Sequence, residues 1–101
     1  MNSITRVNLR IAFDINGTLV GTSDPDDSLA MQLLIKRLKK AGHTIILRTG
    51  DTVEYSMQKA KELGLDQYID EYATKLDIEE RPDVAFDDVW GMLATGVTIK
   101  V

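Results

Sequence analysis

Apolar positions change period along this chain, and each change marks an element. Val7 to Ile15 is apolar and rich in branched residues, which predicts a first strand, closed by Gly17. Asp24-Pro25-Asp26-Asp27 reads as a helix start, with an Asp cap, Pro in the first turn and acids against the positive helix end. From there Ala30, Leu33, Leu34, Leu38 and Ala41 recur at helical spacing, which predicts one buried face running to Lys40 or Ala41. Lys36, Arg37, Lys39 and Lys40 fall late in that helix, where its dipole favours cations, and Gly42 stops it. His43 to Leu47 is a second strand. Its unbroken run Ile45-Ile46-Leu47 suits a strand covered on both faces, as in a parallel sheet.

The pattern then repeats. Thr49-Gly50-Asp51-Thr52 is a turn, Val53 to Leu63 a second helix, and Gly64 its stop. Tyr68 to Ala73 is a third strand interrupted by Asp70 and Glu71, and Leu76 to Pro82 is a polar loop. Val84-Ala85-Phe86 and the alternating Val97 to Val101 are two further strands. Strands alternating with helices predict an α/β fold with a mostly parallel sheet of about five strands flanked by helices. No repeat or linker divides residues 1–101, so one domain is expected.

Composition narrows the function classes. The net charge is -4 and the pI about 4.8, which gives no positive footprint for nucleic acid or an anionic membrane. A small anionic ligand at a locally positive site remains compatible with that balance. The absence of cysteine excludes disulfides and thiolate metal sites. No apolar run approaches the roughly 20 residues that span a bilayer, and Met1 to Arg10 has no signal-type stretch, so a cytoplasmic protein is expected.

In an open parallel sheet, ligands bind at the carboxyl ends of the strands. The first strand is followed by Asp14-Ile15-Asn16-Gly17-Thr18-Leu19, the second by Thr49-Gly50-Asp51, the third by Thr74-Lys75 and the fourth by Asp87-Asp88. Carboxylates, a hydroxyl and a lysine on one sheet edge suit phosphoryl transfer. Asp14, Asp87 and Asp88 are the oxygen donors that hard magnesium prefers. A carboxylate also serves as a nucleophile that forms an aspartyl phosphate. Thr49, the helix-starting Gly50 and Lys75 suit the charged oxygens of a transferring phosphoryl group.

Asp14-Ile15-Asn16-Gly17-Thr18-Leu19 resembles the first motif of the haloacid dehalogenase superfamily, normally Asp-x-Asp-Gly-Thr-Leu. Thr49-Gly50 resembles its second motif, Lys75 its third and Asp87-Asp88 its acidic fourth, in family order across about residues 7 to 90. The resemblance implies a Rossmann-like sheet and magnesium as cofactor. It implies Asp14 as nucleophile and metal ligand, the backbone carbonyl of Asn16 and Asp87 as further ligands, and Asp88 as a ligand direct or through water. Thr49 would bind the phosphoryl group and Lys75 would brace it, with Arg81 as the alternative cation.

Two departures from the family pattern matter. Asn16 stands where phosphatases of the family carry their acid–base Asp. No cap domain fits between Leu19 and Thr49 or between Lys75 and Asp87, so an open site, or one covered by a partner or a second copy, is expected. The substrate is then a small phosphorylated molecule or a phosphorylated macromolecule. Two other functions compete: a magnesium- and phosphate-binding or protein-interaction module disabled by Asn16, and a receiver-like signalling domain. In receivers the acidic pair comes first in the chain, whereas Asp87-Asp88 comes last here. Among the remaining residues, His43 belongs to the opposite sheet edge. Asp51 reads as a helix cap or as a support behind the site's contact residues, Tyr72 and Trp90 as core, and Asp88 alternatively as the cap of a short following helix.

Overall fold

The computed structural model describes residues 8–76, 82–88 and 97–100. In chain order these form β1 (Arg10–Phe13), α1 (Pro25–Lys40), β2 (Thr44–Thr49), α2 (Val53–Glu62), a 3-10 turn (Asp66–Tyr68), β3 (Glu71–Thr74), β4 (Val84–Asp87) and β5 (Val97–Lys100). The five strands make one sheet in the order β3-β2-β1-β4-β5, and every neighbouring pair is parallel. Among the described residues no helix is long and apolar enough to cross a membrane. Arg81 and Trp90 lie outside the described residues, as do the ends of the expected first and last strands and most of the expected 76–82 loop.

Both helical crossovers step the same way, from β1 to β2 and from β2 to β3. Right-handed connections therefore put α1 and α2 on one face of the sheet. The packing agrees. Ile11, Phe13, Ile45 and Leu47 share one buried cluster with Ile35 of α1 and Ala60 of α2. Phe13 also stacks on Phe86 across β1 and β4, with ring centroids 4.8 Å apart, a contact worth about 0.5–1.5 kcal/mol beyond its area. The opposite face carries smaller side chains, Ala12, Ile46, Ala73 and Ala85, and is buried as well. That double burial is why β2 reads as an unbroken apolar run.

The helix ends follow their sequence signals. The Asp24 carboxylate accepts the Asp26 N–H at 2.9 Å, Pro25 opens α1, and Gly42 after its end has φ +98°. Thr52 Oγ1 accepts the Tyr55 N–H at 3.1 Å and caps α2. The expected buried face of α1 is rotated, however. Ile35 is its fully buried residue, with Met31, Leu34 and Leu38 packed beside it, while Ala30, Leu33 and Ala41 are exposed. Leu33 stands two residues from Ile35, about 200° around the helix. Apolar residues on both sides of α1 make its period ambiguous. β3 also starts later than expected, because Leu65 and Asp66 close the preceding residues into the 3-10 turn.

Candidate active site

The chain leaves β1 towards β2 and β3, then returns to place β4 on the other side of β1. The strand order therefore reverses between β1 and β4, and a crevice opens at their carboxyl ends. Backbone bonds hold the ends there. The Asp14 N–H donates to the Phe86 carbonyl at 2.9 Å, and the Lys75 N–H donates to the Thr49 carbonyl at 2.8 Å.

The pleat then decides which side chains meet. Ala12, Ile46, Ala73 and Ala85 share the face away from the helices. Two residues further along each strand, on that same face, come Asp14, Arg48, Lys75 and Asp87. Lys75 Nζ lies 3.0 Å from Asp14 Oδ1, 2.9 Å from Asp87 Oδ2 and 3.2 Å from Asp87 Oδ1. Asp14 is 7% exposed and Asp87 1%. Asp88 is exposed, yet its carboxylate joins the other two, with one oxygen from each of the three within 4.8 Å of the others. The Asp88 carboxylate also packs against Gly17, where a methyl group would collide with it; that glycine has φ +87°.

Burial and charge act against each other here. Burial pushes the Asp14 carboxyl up to about 6, reinforced by the Asp87 charge and opposed by the Lys75 hydrogen bond and charge. Burial alone would lower the Lys75 ammonium, but its contacts with Asp87 and Asp14 outweigh that and raise it. Burial lowers the Arg48 guanidinium, while the Asp87 and Asp14 charges work to raise it.

The other expected site residues lie around this centre. Thr49 is buried at the end of β2 with its hydroxyl accepting the Asp51 N–H at 3.0 Å, and Gly50 is exposed in the turn before α2. Asp51 accepts the Thr52 N–H at 2.7 Å. Asn16 is exposed, and its Oδ1 accepts a hydrogen bond from the Tyr55 hydroxyl at 3.3 Å. His43 sits at the far edge, where its Nδ1 accepts the Leu9 N–H at 3.2 Å. Sequence reasoning missed two residues. Arg48 is a lone charge in the same strand as Ile45-Ile46-Leu47, and its even position shared with Ile46 was the available signal. Tyr55 reaches Asn16 from 39 residues away, and no local pattern announces that contact.

The site's donor set is made of oxygens alone: the Asp14, Asp87 and Asp88 carboxylates. That chemistry fits a hard divalent cation such as magnesium and does not select softer metals.

A family model described as haloacid dehalogenase-like hydrolase matches residues 11–73, more than half of the chain. The matched segment runs from β1 into β3 and ends before Lys75, Asp87 and Asp88. No curated protein matches the chain, and no solved structure does.

Proposed function

This chain belongs to the haloacid dehalogenase-like hydrolases, and from that premise we propose that it is a magnesium-dependent phosphoryl-transfer hydrolase with Asp14 as its nucleophile. The observation that carries the proposal is Lys75 Nζ bridging Asp14 and Asp87 at the strand-order reversal. One cation holding two buried carboxylates together is costly to build and has no use as a strand end.

In this reading an Asp14 carboxylate oxygen attacks phosphorus. The new Asp14 O–P bond forms as the bond from phosphorus to the leaving oxygen breaks, and water then hydrolyses the aspartyl phosphate. With a pKa of about 6, Asp14 is mostly ionised near neutral pH even before a cation binds. Asp14, Asp87, Asp88 and the Asn16 backbone carbonyl would hold magnesium, which when bound supplies positive charge for the phosphoryl oxygens. Thr49, the Gly50 N–H and Lys75 bind and brace the phosphoryl group.

Asn16 sets the limit. Its amide cannot give or take a proton near neutral pH, and Tyr55 already donates to its oxygen. The amide hydrogens remain to donate to the leaving oxygen or to orient water. General acid–base help is worth about 10²–10⁴-fold, so alkyl phosphates should react slowly and acyl or aryl phosphates comparatively well. A leaving-group series run with magnesium on the wild type, Asn16→Asp and Asp14→Asn tests this. Equal rates for wild type and Asn16→Asp across the series would remove the role given to position 16. The same amide supports a second reading, a magnesium- and phosphate-binding module without turnover. Phosphate binding with no turnover of any substrate, activated or not, would favour it.

A further inference from the structure

A cavity of about 510 Å³ opens beside the carboxylate cluster. Asp88 belongs to that cluster and lines the cavity beside Gly17, and Asp27, Ala30 and Met31 of α1 line it as well. We propose that this cavity takes the leaving group of the phosphomonoester and selects an amino alcohol over an acid. The inference rests on the phosphoryl-transfer reading of the adjoining site.

Position comes first. Gly17 follows Asp14 by three residues, and Asp88 belongs to both the metal-binding cluster and the cavity wall. A group bonded to a phosphoryl centre at Asp14 therefore has this space within reach. The volume lies in the range of small-molecule pockets, which is roughly 300–1,000 Å³.

Charge comes next. Among the described lining residues no lysine or arginine appears, and the two charged groups, Asp27 and Asp88, are both carboxylates. Neither has an ion-pair partner among the described residues. The start of α1 would ordinarily attract anions with about half a positive charge. Here Asp24, Asp26 and Asp27 stand on that end and reverse its sign. If magnesium engages Asp88, Asp27 is left as the cavity's free charge. The phosphate-bracing cation, Lys75, is held by Asp14 and Asp87 and does not line the cavity.

Shape completes the match. Asp27, Ala30 and Met31 are spaced i, i+3, i+4, so they form one stripe along α1. A carboxylate followed by a methyl and a thioether suits an ammonium followed by its methylenes. The rim is fixed: the Thr22 hydroxyl donates to the Asp24 carbonyl at 2.6 Å and lies 2.5 Å from the Ser28 hydroxyl. A carboxylate leaving group would instead face Asp27 and Asp88.

The test pairs turnover with a binding readout that does not depend on it. Turnover of phosphoethanolamine and phosphoglycolate is compared on the wild type, Asp27→Asn and Asp27→Lys, all with magnesium. Intrinsic leaving-group differences cancel in the ratio between variants. The amine-to-acid ratio of kcat/KM should fall about threefold to fivefold in Asp27→Asn, the scale of one partly exposed ion pair, and further in Asp27→Lys. Separately, ethanolamine and glycolate are titrated while the Met31 methyl resonance is followed. Ethanolamine should shift it, glycolate should not, and Asp27→Asn should abolish the shift. Turnover that needs Asp14, with an unchanged ratio and a silent Met31, would overturn this inference and leave phosphoryl transfer standing. A Met31 shift that needs Asp27, without turnover of any phosphoester, would overturn phosphoryl transfer and with it the leaving-group role, leaving only an ammonium-binding cavity. Silence in both readouts would overturn both.

Discussion

The two edges of the sheet carry similar residues and use them differently. At the amino-terminal edge charges pair off locally. Arg10 holds Glu71 with two hydrogen bonds of 2.7 and 3.1 Å, and Asp83 accepts the Arg10 N–H at 2.8 Å. Asp70 accepts the Ile45 N–H at 2.8 Å and pairs with Lys39. Each carboxylate there closes an orphaned strand N–H or meets its own cation in partial contact with water. At the carboxyl-terminal edge Asp14, Asp87 and Asp88 converge, and Lys75 is shared between two of them. Separate pairs of this kind make struts. Convergence gathers three carboxylates at one edge with Lys75 and Arg48, the kind of dense charge cluster that functional sites carry.

Four perturbations separate the edges, the largest first. Asp14→Asn should lower turnover by about 10⁴-fold or more, as expected when a nucleophile is removed; steady-state kinetics on an aryl phosphate reads it. Next, Lys75→Met leaves buried carboxylates without their shared cation and should destabilise the metal-free protein by about 3–5 kcal/mol. Lys39→Met cuts a pair whose side chains are 37% and 30% exposed and should cost at most about 1 kcal/mol. Urea denaturation in a chelator compares the two, and equal losses would erase the distinction between the edges. Added magnesium should restore part of the Lys75→Met loss and none of the Lys39→Met loss.

The third perturbation adds a carboxylate to the convergent edge. Asn16→Asp should raise turnover of alkyl phosphates about 10²-fold, the lower part of what acid–base assistance supplies, and that of aryl phosphates much less. Intact mass must confirm Asn16 in the reference protein, since Asn-Gly deamidates. The fourth is pH. Without metal, the folded Asp14 pKa of about 6 exceeds the ordinary 3.8, so the folded state binds more protons between those values. Asp14's contribution is therefore fully present below about pH 4 and is lost as pH rises through about 6. The loss is on the order of 3 kcal/mol at most. The stability difference between wild type and Asp14→Asn, followed from pH 4 to 8 in a chelator, should shift against the wild type across that window. A flat difference would contradict the buried charge.

Much of this was legible along the chain because it is local. Asp24-Pro25 and Gly42 bound α1, the Ile45-Ile46-Leu47 run marks a doubly covered strand, and Asp14 and Asp87 follow apolar runs. What stayed hidden is non-local. Asp70 and Glu71 read as interruptions of a strand, yet their partners Lys39 and Arg10 stand 31 and 61 residues away. The buried face of α1 turns on Ile35, while Ala30 and Leu33 are apolar yet exposed. Lys75 could be placed at a strand end, but its meeting with Asp14 and Asp87 depends on β4 inserting beside β1. Arg48 depends on the same strand order and on the pleat.

If Asp14 attacks phosphorus, it carries the phosphoryl group between the two half-reactions, and a trapped intermediate can be mapped to it. The protein is mixed with magnesium and acetyl phosphate, quenched in acid within the first turnovers, digested and analysed by mass spectrometry. An acid-stable, hydroxylamine-labile phosphoryl group is expected on the peptide holding Asp14, longer-lived in the wild type than in Asn16→Asp. Turnover of the same substrate with the phosphoryl group on another residue, or with full activity retained in Asp14→Asn, would contradict it.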